Sequence, residues 1–174
     1  GLTRINSKLV DTASGQTTDL NMPGPAFSPV AAQDLLKQVL HRLDQVETLA
    51  RGNGRYDSVP VYLKLNTGMN RLGLDVDGLK VALDLLRAHK AGVTLMTHFA
   101  DADEASGIAS QRERFTALKG PGPYPTSLAN SAALLRYPES CGDWVRPGIM
   151  LYGSSPFPQM HSAAELGLRP VMTL

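Results

Sequence analysis

Apolar residues along this chain fall into two kinds of segment: short continuous runs, and longer stretches with helical spacing. Val61–Leu65 is a nearly continuous run, as expected for a buried strand. The stretch "DGLKVALDLLRAHK" that follows places apolar residues on one face of a helix, namely Leu79, Ala82, Leu83 and Leu86. The pattern therefore predicts a strand followed by an amphipathic helix.

The same alternation continues along the chain. It predicts a strand in "AGVTLMTHFADAD", a helix in "ASGIASQRERFTALKG" that ends at Gly120, and a short strand with a short helix in "TSLANSAALLRY". "DWVRPGIMLYG" is strand-like, and "LRPVMTL" begins one more strand. Strands that lack polar alternation and are separated by helices predict an α/β fold with parallel strands, either an open doubly wound sheet or a (β/α) barrel. No G-x-G-x-x-G follows a strand, which disfavours dinucleotide binding.

The beginning of the chain has a different pattern. Residues 1–27 are polar and rich in Thr, Ser, Asn and Gly, which is typical of loop or partly disordered chain. Ser28 and Pro29 are typical of an N-cap followed by proline in the first helical turn. A helix is therefore predicted over 29–51, ended by "RGNG", with these apolar residues at helical spacing: Leu36, Val39, Leu40, Leu43 and Val46.

Composition and charge narrow the classes of function. The 174 residues are 43% hydrophobic and 19% charged, with a net charge of +1 and no basic stripe, so we expect a globular protein with no nucleic-acid partner. No apolar run approaches the ~20 residues of a membrane span, and the N-terminus lacks the features of a signal peptide. Cys141 is the only cysteine, as is typical of a cytoplasmic protein. The four histidines have no ligand-like spacing, so no metal site is expected.

Distinctive residues lie where the predicted strands end, which in a parallel barrel is where functional groups collect. They are Lys64, Arg71, His98, Asn130, Ser131, Arg146, Gly148 and Ile149. Each has a plainer interpretation, because a histidine there is often structural, an arginine often forms a surface ion pair, and Asn-Ser before a helix is a common N-cap. Taken singly, none of them identifies a function.

Taken together, the motifs around these residues identify a family. "YLKLNTGMNRLG", "MTHFADADE", "SLANSAALLRYP" and "WVRPGIMLYGSSP" resemble, in order and spacing, the bacterial alanine racemases, from about Val61 to Leu174. The resemblance implies a partial (β/α)8 TIM barrel that ends at the start of a C-terminal β-domain. The expected division is a poorly matched segment at 1–28, the barrel portion that binds pyridoxal 5'-phosphate (PLP) at 29–165, and the first residues of the β-domain at 166–174.

The same resemblance implies the activity. Alanine racemases are isomerases that interconvert L- and D-alanine through an aldimine of PLP, for D-alanine biosynthesis and peptidoglycan or for alanine catabolism. They are cytoplasmic homodimers. Two alternatives stay open: a non-catalytic PLP-binding barrel protein, and a related amino-acid racemase of the same group.

Roles for the strand-end residues follow from the resemblance as well. The lysine matching Lys64 is carbamylated and holds the arginine matching Arg71; a carbamate paired with a guanidinium is a charge-assisted bridge, whereas a bare buried ammonium is costly. The plainer interpretation is that Lys64 reaches solvent or pairs with a carboxylate. Arg146 matches the arginine that donates to the pyridine nitrogen of PLP, and His98 matches a histidine that links that arginine to the catalytic tyrosine.

The remaining residues match the phosphate site. Ser131 and the backbone N–H groups of Gly148 and Ile149 correspond to the family's phosphate-binding set, and Asn130 to a neighbouring asparagine. Hydroxyl and free amide donors at a helix start favour a phosphate dianion. Met69 lies in a family motif and is expected only to pack.

Two family features are missing from this sequence. The family's PLP lysine lies in a motif resembling A-x-x-K-A-N-A-Y-G-H-G, and none of the six lysines has such neighbours. The opposing tyrosine belongs to the C-terminal β-domain and acts across a dimer interface; Tyr152 belongs to the barrel motif instead. Because a whole barrel needs about 250 residues, we expect a portion of a racemase that is unstable or oligomeric and inactive alone.

Overall fold

The computed structural model describes residues 4–10, 17–23, 38–52, 59–90 and 92–170. The chain divides into two compact units, Gly1–Leu36 and Lys37–Leu174. The first unit contains an antiparallel pair, β1 (Arg4–Val10) and β2 (Thr17–Pro23), in register from Arg4 opposite Pro23 to Val10 opposite Thr17. The prediction of loop or disordered chain over 1–27 is therefore wrong for these two segments. Antiparallel pairing satisfies the backbone of a polar segment without requiring that both of its faces be buried.

The second unit contains a parallel sheet with helices in the connections, which confirms the predicted α/β class. Its strands are β3 (Gln38–Leu40), β4 (Val61–Lys64), β5 (Val93–Met96) and β6 (Thr126–Ser127), in the order β3-β4-β5-β6. The helices are α1 (Leu43–Ala50), α2 (Val76–Leu85), α3 (Ala109–Lys119) and α4 (Ser131–Arg136). Every strand pair is parallel, so all four strands end at the same edge of the sheet.

The helix predicted over 29–51 is only partly correct. Residues 28–37, which include the proposed Ser28–Pro29 cap, lie outside the described residues. Gln38–Leu40 is a strand paired with Val61–Leu63, and the helix begins only at Leu43. Two adjacent apolar residues satisfy a helical pattern and a short strand equally well, and pairing with the buried strand β4 decides between them.

The predicted strand at 143–153 is reduced to a single parallel bridge between Trp144 and Ser127, followed by a 3₁₀ turn at Ile149–Leu151. The backbone N–H of Arg146 donates to Ala129 O at 2.9 Å, and Pro147 has no N–H to continue a ladder. Of the last predicted strand, Pro170 forms one antiparallel bridge with Tyr152, and residues 171–174 lie outside the described part.

The core lies around the two central strands. All four residues of β4 are buried, and Leu63, Leu95 and Phe99 are fully enclosed. Apolar burial at this level, worth about 1.5–3 kcal/mol per large side chain, fixes the positions at which β4 and β5 end. Within the described residues, no helix combines the length and the hydrophobicity needed to cross a membrane.

The loop after β4 returns to the strand it leaves. Leu74 N donates to Lys64 O at 2.8 Å and Asn66 N donates to Leu74 O at 2.9 Å. Gly73, with φ of 137°, makes this return possible, since a Cβ there would lie 2.5 Å from the backbone nitrogen of Asn66. The loop thus presents Arg71 at the same edge of the sheet as Lys64.

Candidate functional site

A cavity of about 350 Å³ lies beyond the carboxyl ends of β5 and β6. Six of the eight predicted site residues line it, together with three that sequence reasoning did not select: His98, Asn130, Ser131, Arg146, Gly148 and Ile149, with Asp103, Ala132 and Pro156. Lys64 and Arg71 are not among the lining residues, but their charges act on His98. The parallel register brings these residues together, because Lys64 lies opposite Met96, two residues before His98.

The start of α4 supplies hydrogen-bonding groups to the cavity. Ser131, the first residue of this helix, is buried, and its Oγ accepts the backbone N–H of Gly148 at 2.8 Å and of Met150 at 3.4 Å. With both acceptor positions in use, the hydroxyl proton remains to be donated. Gly148 and Ile149 also line the cavity, at the start of the 3₁₀ turn.

Asn130 follows its plainer interpretation. It is the N-cap of α4, and its Oδ1 accepts the backbone N–H of Ala133 at 3.0 Å. Its Nδ2 donates to Phe99 O at 3.0 Å, which ties α4 to the loop after β5. Both ends of the side chain are therefore engaged in holding the fold, so Asn130 shapes the cavity rather than offering it a free polar group.

Arg146 is held by a dense set of acceptors at the strand ends. Its Nη1 donates to Ser127 Oγ at 2.6 Å, and its Nη2 donates to the backbone carbonyls of Thr97 and Leu128. Burial lowers the pKa of the guanidinium from its ordinary value. Because arginine keeps its proton throughout the physiological range, the site retains one fixed positive charge at this position.

His98 lies beside this charge. Burial is the main cause that lowers the pKa of its imidazole, followed by the charges of Arg146, Lys64 and Arg71. The ring is therefore neutral at pH 7. The contacts of the Arg146 guanidinium are with Ser127, Thr97 and Leu128, and in the described part of the chain no hydrogen bond joins it to the His98 ring. The link expected from the resemblance is thus one of proximity and charge here.

Lys64 ends the buried strand with only 9% of its surface exposed. Burial, then the charges of Arg71 and Arg146, lower the pKa of its ammonium. No carboxylate pairs with Lys64 among the residues that the structure describes, so the alternative of a carboxylate partner is not supported there. A buried cation beside two other cations is an unfavourable arrangement that a bound or covalently added anion would relieve.

Arg71 is exposed and is carried by a loop with its own hydrogen bonds. Asn66 Oδ1 accepts the backbone N–H groups of Gly68 and Asn70, both at 3.1 Å, and its Nδ2 donates to Asn70 Oδ1. Asn70 adopts the left-handed region at φ of 55°, which asparagine tolerates better than most residues. This turn sets the position of Arg71. Met69 is half-buried in the same loop.

The donor set suits an anionic ligand carrying a phosphate. Ser131, Ile149 and Arg146 line the same cavity, and the neighbouring cations add to a positive potential there. Asp103 is the one acidic lining residue. These groups fit the phosphate and pyridine nitrogen of PLP, the cofactor that the motifs imply.

Several residues that shape the site could not be chosen from sequence. Ser127 and Thr97 hold Arg146, yet a serine and a threonine near strand ends carry no signal of their own. Asp103 lines the cavity, but it lies in "MTHFADADE" with two other acidic residues, and the sequence does not indicate which of the three faces the site. Its position was detectable only as part of that motif.

Comparison with known proteins places this geometry in one family. The family model described as "Alanine racemase, N-terminal domain" matches residues 14–156, an earlier start than the Val61 expected from the motifs. The alanine racemase of Nitrosospira multiformis is 50% identical over 145 residues, covering 80% of this chain and 40% of that protein.

Comparison with solved structures indicates the same family. The alanine racemase of Acinetobacter baumannii has a TM-score of 0.72 at 39% identity, covering 83% of this chain and 42% of that one. The biosynthetic alanine racemase of Pseudomonas aeruginosa has a TM-score of 0.70 at 41% identity, covering 81% and 40%. The chain spans about 40% of the length of the curated relatives it matches. It belongs to the alanine racemase family, with the fold of the N-terminal domain of those enzymes.

Proposed function

We propose that this chain forms the cofactor-binding part of a PLP-dependent alanine racemase. One observation supports this above all: a single cavity gathers His98, Ser131, Arg146, Gly148 and Ile149 from three separate segments of the chain. The alanine racemase of Bartonella henselae, which has the same fold at 24% identity and a TM-score of 0.60, carries covalently bound pyridoxal phosphate.

The phosphate would be held by Ser131 and by the N–H groups of Gly148 and Ile149. In the present structure Ser131 Oγ accepts the Gly148 N–H, so a bound phosphate would compete for that donor and receive the serine proton as well. Bound PLP supplies an electron sink that makes the α-proton of an amino acid more acidic.

Arg146 would face the pyridine nitrogen. An arginine does not readily surrender its proton, so the nitrogen stays unprotonated and the ring withdraws electrons less strongly. That setting favours return of the proton to the α-carbon over transamination. Neutral His98 beside Arg146 adds no second positive charge to weaken this control.

Lys64 and Arg71 would serve the carboxylate side of the substrate. The lowered pKa of Lys64 increases the fraction of free amine, which is the form that reacts with CO₂ to give a carbamate. A carbamate would turn the cation into an anion beside Arg71 and orient that guanidinium towards a substrate carboxylate.

The wider setting of the enzyme is also proposed from the family. The enzyme is a cytoplasmic homodimer, and its product D-alanine enters peptidoglycan. Its PLP lysine and its opposing tyrosine come from sequence that these 174 residues do not contain. The absence of the lysine motif from this sequence also favours a second candidate, a PLP-binding barrel protein without catalysis. Racemase activity separates the two.

The cofactor site is tested by measuring the binding of PLP to the chain with isothermal titration calorimetry. We expect Ser131→Ala to weaken PLP binding about tenfold, since one hydrogen bond to a charged group is worth about 1.5 kcal/mol. Binding of pyridoxal, which lacks the phosphate, should not change. Ser140→Ala is a matched control, because Ser140 is equally buried but donates to Tyr137 O away from the cavity. Equal affinity for PLP in wild type and Ser131→Ala would contradict the assignment.

A further inference from the structure

A buried polar network lies behind the site, centred on Gln111 in α3. This side chain is 6% exposed, and both ends of its amide are engaged. Its Oε1 accepts the backbone N–H of Ala100 at 2.7 Å, and its Nε2 donates to His98 O at 3.1 Å. One glutamine thus holds the backbone on both sides of Phe99, immediately after β5.

The same amide extends the network to β4. Gln111 Nε2 also donates to Thr67 Oγ1 at 3.0 Å, and Thr67 Oγ1 lies 2.7 Å from Thr97 Oγ1. Thr97 Oγ1 donates to Leu65 O at 3.1 Å, so its proton is used and Thr67 must donate to it. The direction of every hydrogen bond is therefore set, and both threonines are 1% exposed.

The network ends at the site itself. Thr97, which it holds through the side chain, offers its backbone carbonyl to Arg146 Nη2. His98, which it holds through the backbone carbonyl, carries the ring that lines the cavity. Buried polar groups destabilise a fold unless each has a hydrogen-bond partner, and each polar group of this network has one.

We propose that Gln111, acting through Thr67 and Thr97, is a positioning residue that fixes Arg146 and His98 in the cofactor cavity. It touches neither the cavity nor a ligand, and its effect passes through the carbonyls of Thr97 and His98. The inference rests on the proposed function for its consequence, but the geometry it describes belongs to the chain without cofactor.

The test compares Gln111→Met and Thr67→Val with Thr67→Ser, which keeps the hydroxyl. Phe115→Leu is the matched control, because Phe115 is buried on the same helix and packs in the core without joining the network. The first measurement is an NMR titration of the His98 imidazole in the chain without PLP. The second is the Kd of PLP and of pyridoxal by calorimetry.

In Gln111→Met and Thr67→Val, the backbone from His98 to Ala100 loses hydrogen bonds of the network, so the His98 ring should become more exposed and move away from Arg146. We therefore expect the pKa of His98 to rise towards its ordinary value by about half a unit or more. Thr67→Ser should behave as wild type, and Phe115→Leu should lose thermal stability without moving the pKa. Both affinities should weaken by a similar factor in Gln111→Met, because Arg146 faces the ring; loss of PLP binding alone would indicate the phosphate site.

An unchanged His98 pKa in folded Gln111→Met and Thr67→Val would overturn the proposal, whatever happens to PLP. Unfolding of both variants would also overturn it, since the network would then serve stability alone. A raised pKa with no PLP binding even in wild type would keep the positioning role and reject the proposed cofactor function.

Discussion

Lys64 is a buried cation whose neighbours, Arg71 and Arg146, carry the same charge. Its folded-state pKa is lowered from 10.5, so between the lowered value and 10.5 the unfolded chain binds more protons than the folded one. The free energy of unfolding contributed by this group therefore rises with pH through that window, and the penalty is fully present only below the lowered pKa. Burial of the Lys64 ammonium beside two arginines therefore does not contribute to stability.

We accordingly predict that Lys64→Met raises the free energy of unfolding at pH 7, by about 1 kcal/mol in CO₂-free buffer. The methionine fills a similar volume and removes the uncompensated charge. Urea denaturation followed by circular dichroism measures the change. The wild-type chain should gain stability as the pH rises towards 10.5, and the variant should show less of this gain.

Lys80→Met is the control, because Lys80 is exposed on α2 and its loss should change stability little. Bicarbonate provides a second comparison: a carbamate on Lys64 would raise the melting temperature of wild type and leave that of Lys64→Met unaltered. A destabilised Lys64→Met in CO₂-free buffer would show that the ammonium has a favourable partner and would refute the electrostatic argument.

Among the elements, α4 depends most visibly on its first turn. The helix has six residues, too few to be stable alone, and Asn130 both caps it and ties it to the loop after β5. Position and cap together present Ser131 to the cavity. The position of Ser131 at the cavity thus depends on this cap.

Asn130→Ala should lower the free energy of unfolding by about 1–2 kcal/mol, because it removes the cap and leaves Phe99 O without its donor. Asn130→Asp isolates the two effects. It keeps the acceptor for the Ala133 N–H, loses the donor to Phe99 O, and places a negative charge at the proposed phosphate site. Denaturation should show a smaller loss of stability than in Asn130→Ala, whereas calorimetry should show weaker PLP binding; equal stability of both variants would assign the whole effect to Phe99.

The elements that sequence predicted correctly are those whose pattern excludes alternatives. α2 has an apolar face and an Asp75 cap that accepts the Gly78 N–H, and α3 stops at Gly120, where φ is 58°. β3 could not be predicted, because three residues within a helical pattern become a strand only by pairing with β4. The antiparallel pair of β1 and β2 was missed because its pairing, and not its hydrophobicity, defines it.

The same distinction holds for the site. Motifs selected the residues that face the cavity, since a parallel sheet gathers strand ends at one edge. The motifs could not predict contacts such as the hydrogen bond from Arg146 to Thr97 O. These two residues are 49 positions apart, and their contact depends on the register between strands. Asn130 shows the reverse case, in which a motif residue is occupied with capping and Phe99.

Across the whole molecule, the described residues gather the groups proposed to hold the cofactor, while the sequence has no segment that resembles the family's PLP-lysine motif. The six lysines lie outside the family's PLP-lysine motif, and Lys64 is buried beside two arginines. Large apolar residues are also about half exposed in the segment that follows α4, including Trp144, Ile149 and Tyr152. Exposed apolar surface of this kind favours association with other protein surfaces.

We therefore predict that the purified 174-residue chain does not racemise alanine, because proton removal and return on opposite faces of the α-carbon require two positioned groups that it lacks. L-Alanine with PLP should yield no D-alanine above the rate of PLP alone, while the Nitrosospira multiformis enzyme, as positive control, should equilibrate the two. Borohydride reduction of the PLP complex, followed by intact mass and peptide mapping, should give no stoichiometric adduct. An adduct on one lysine, Lys8 in β1 above all, together with D-alanine formation, would show that this sequence contains its own anchor and would reopen the assignment of the catalytic base.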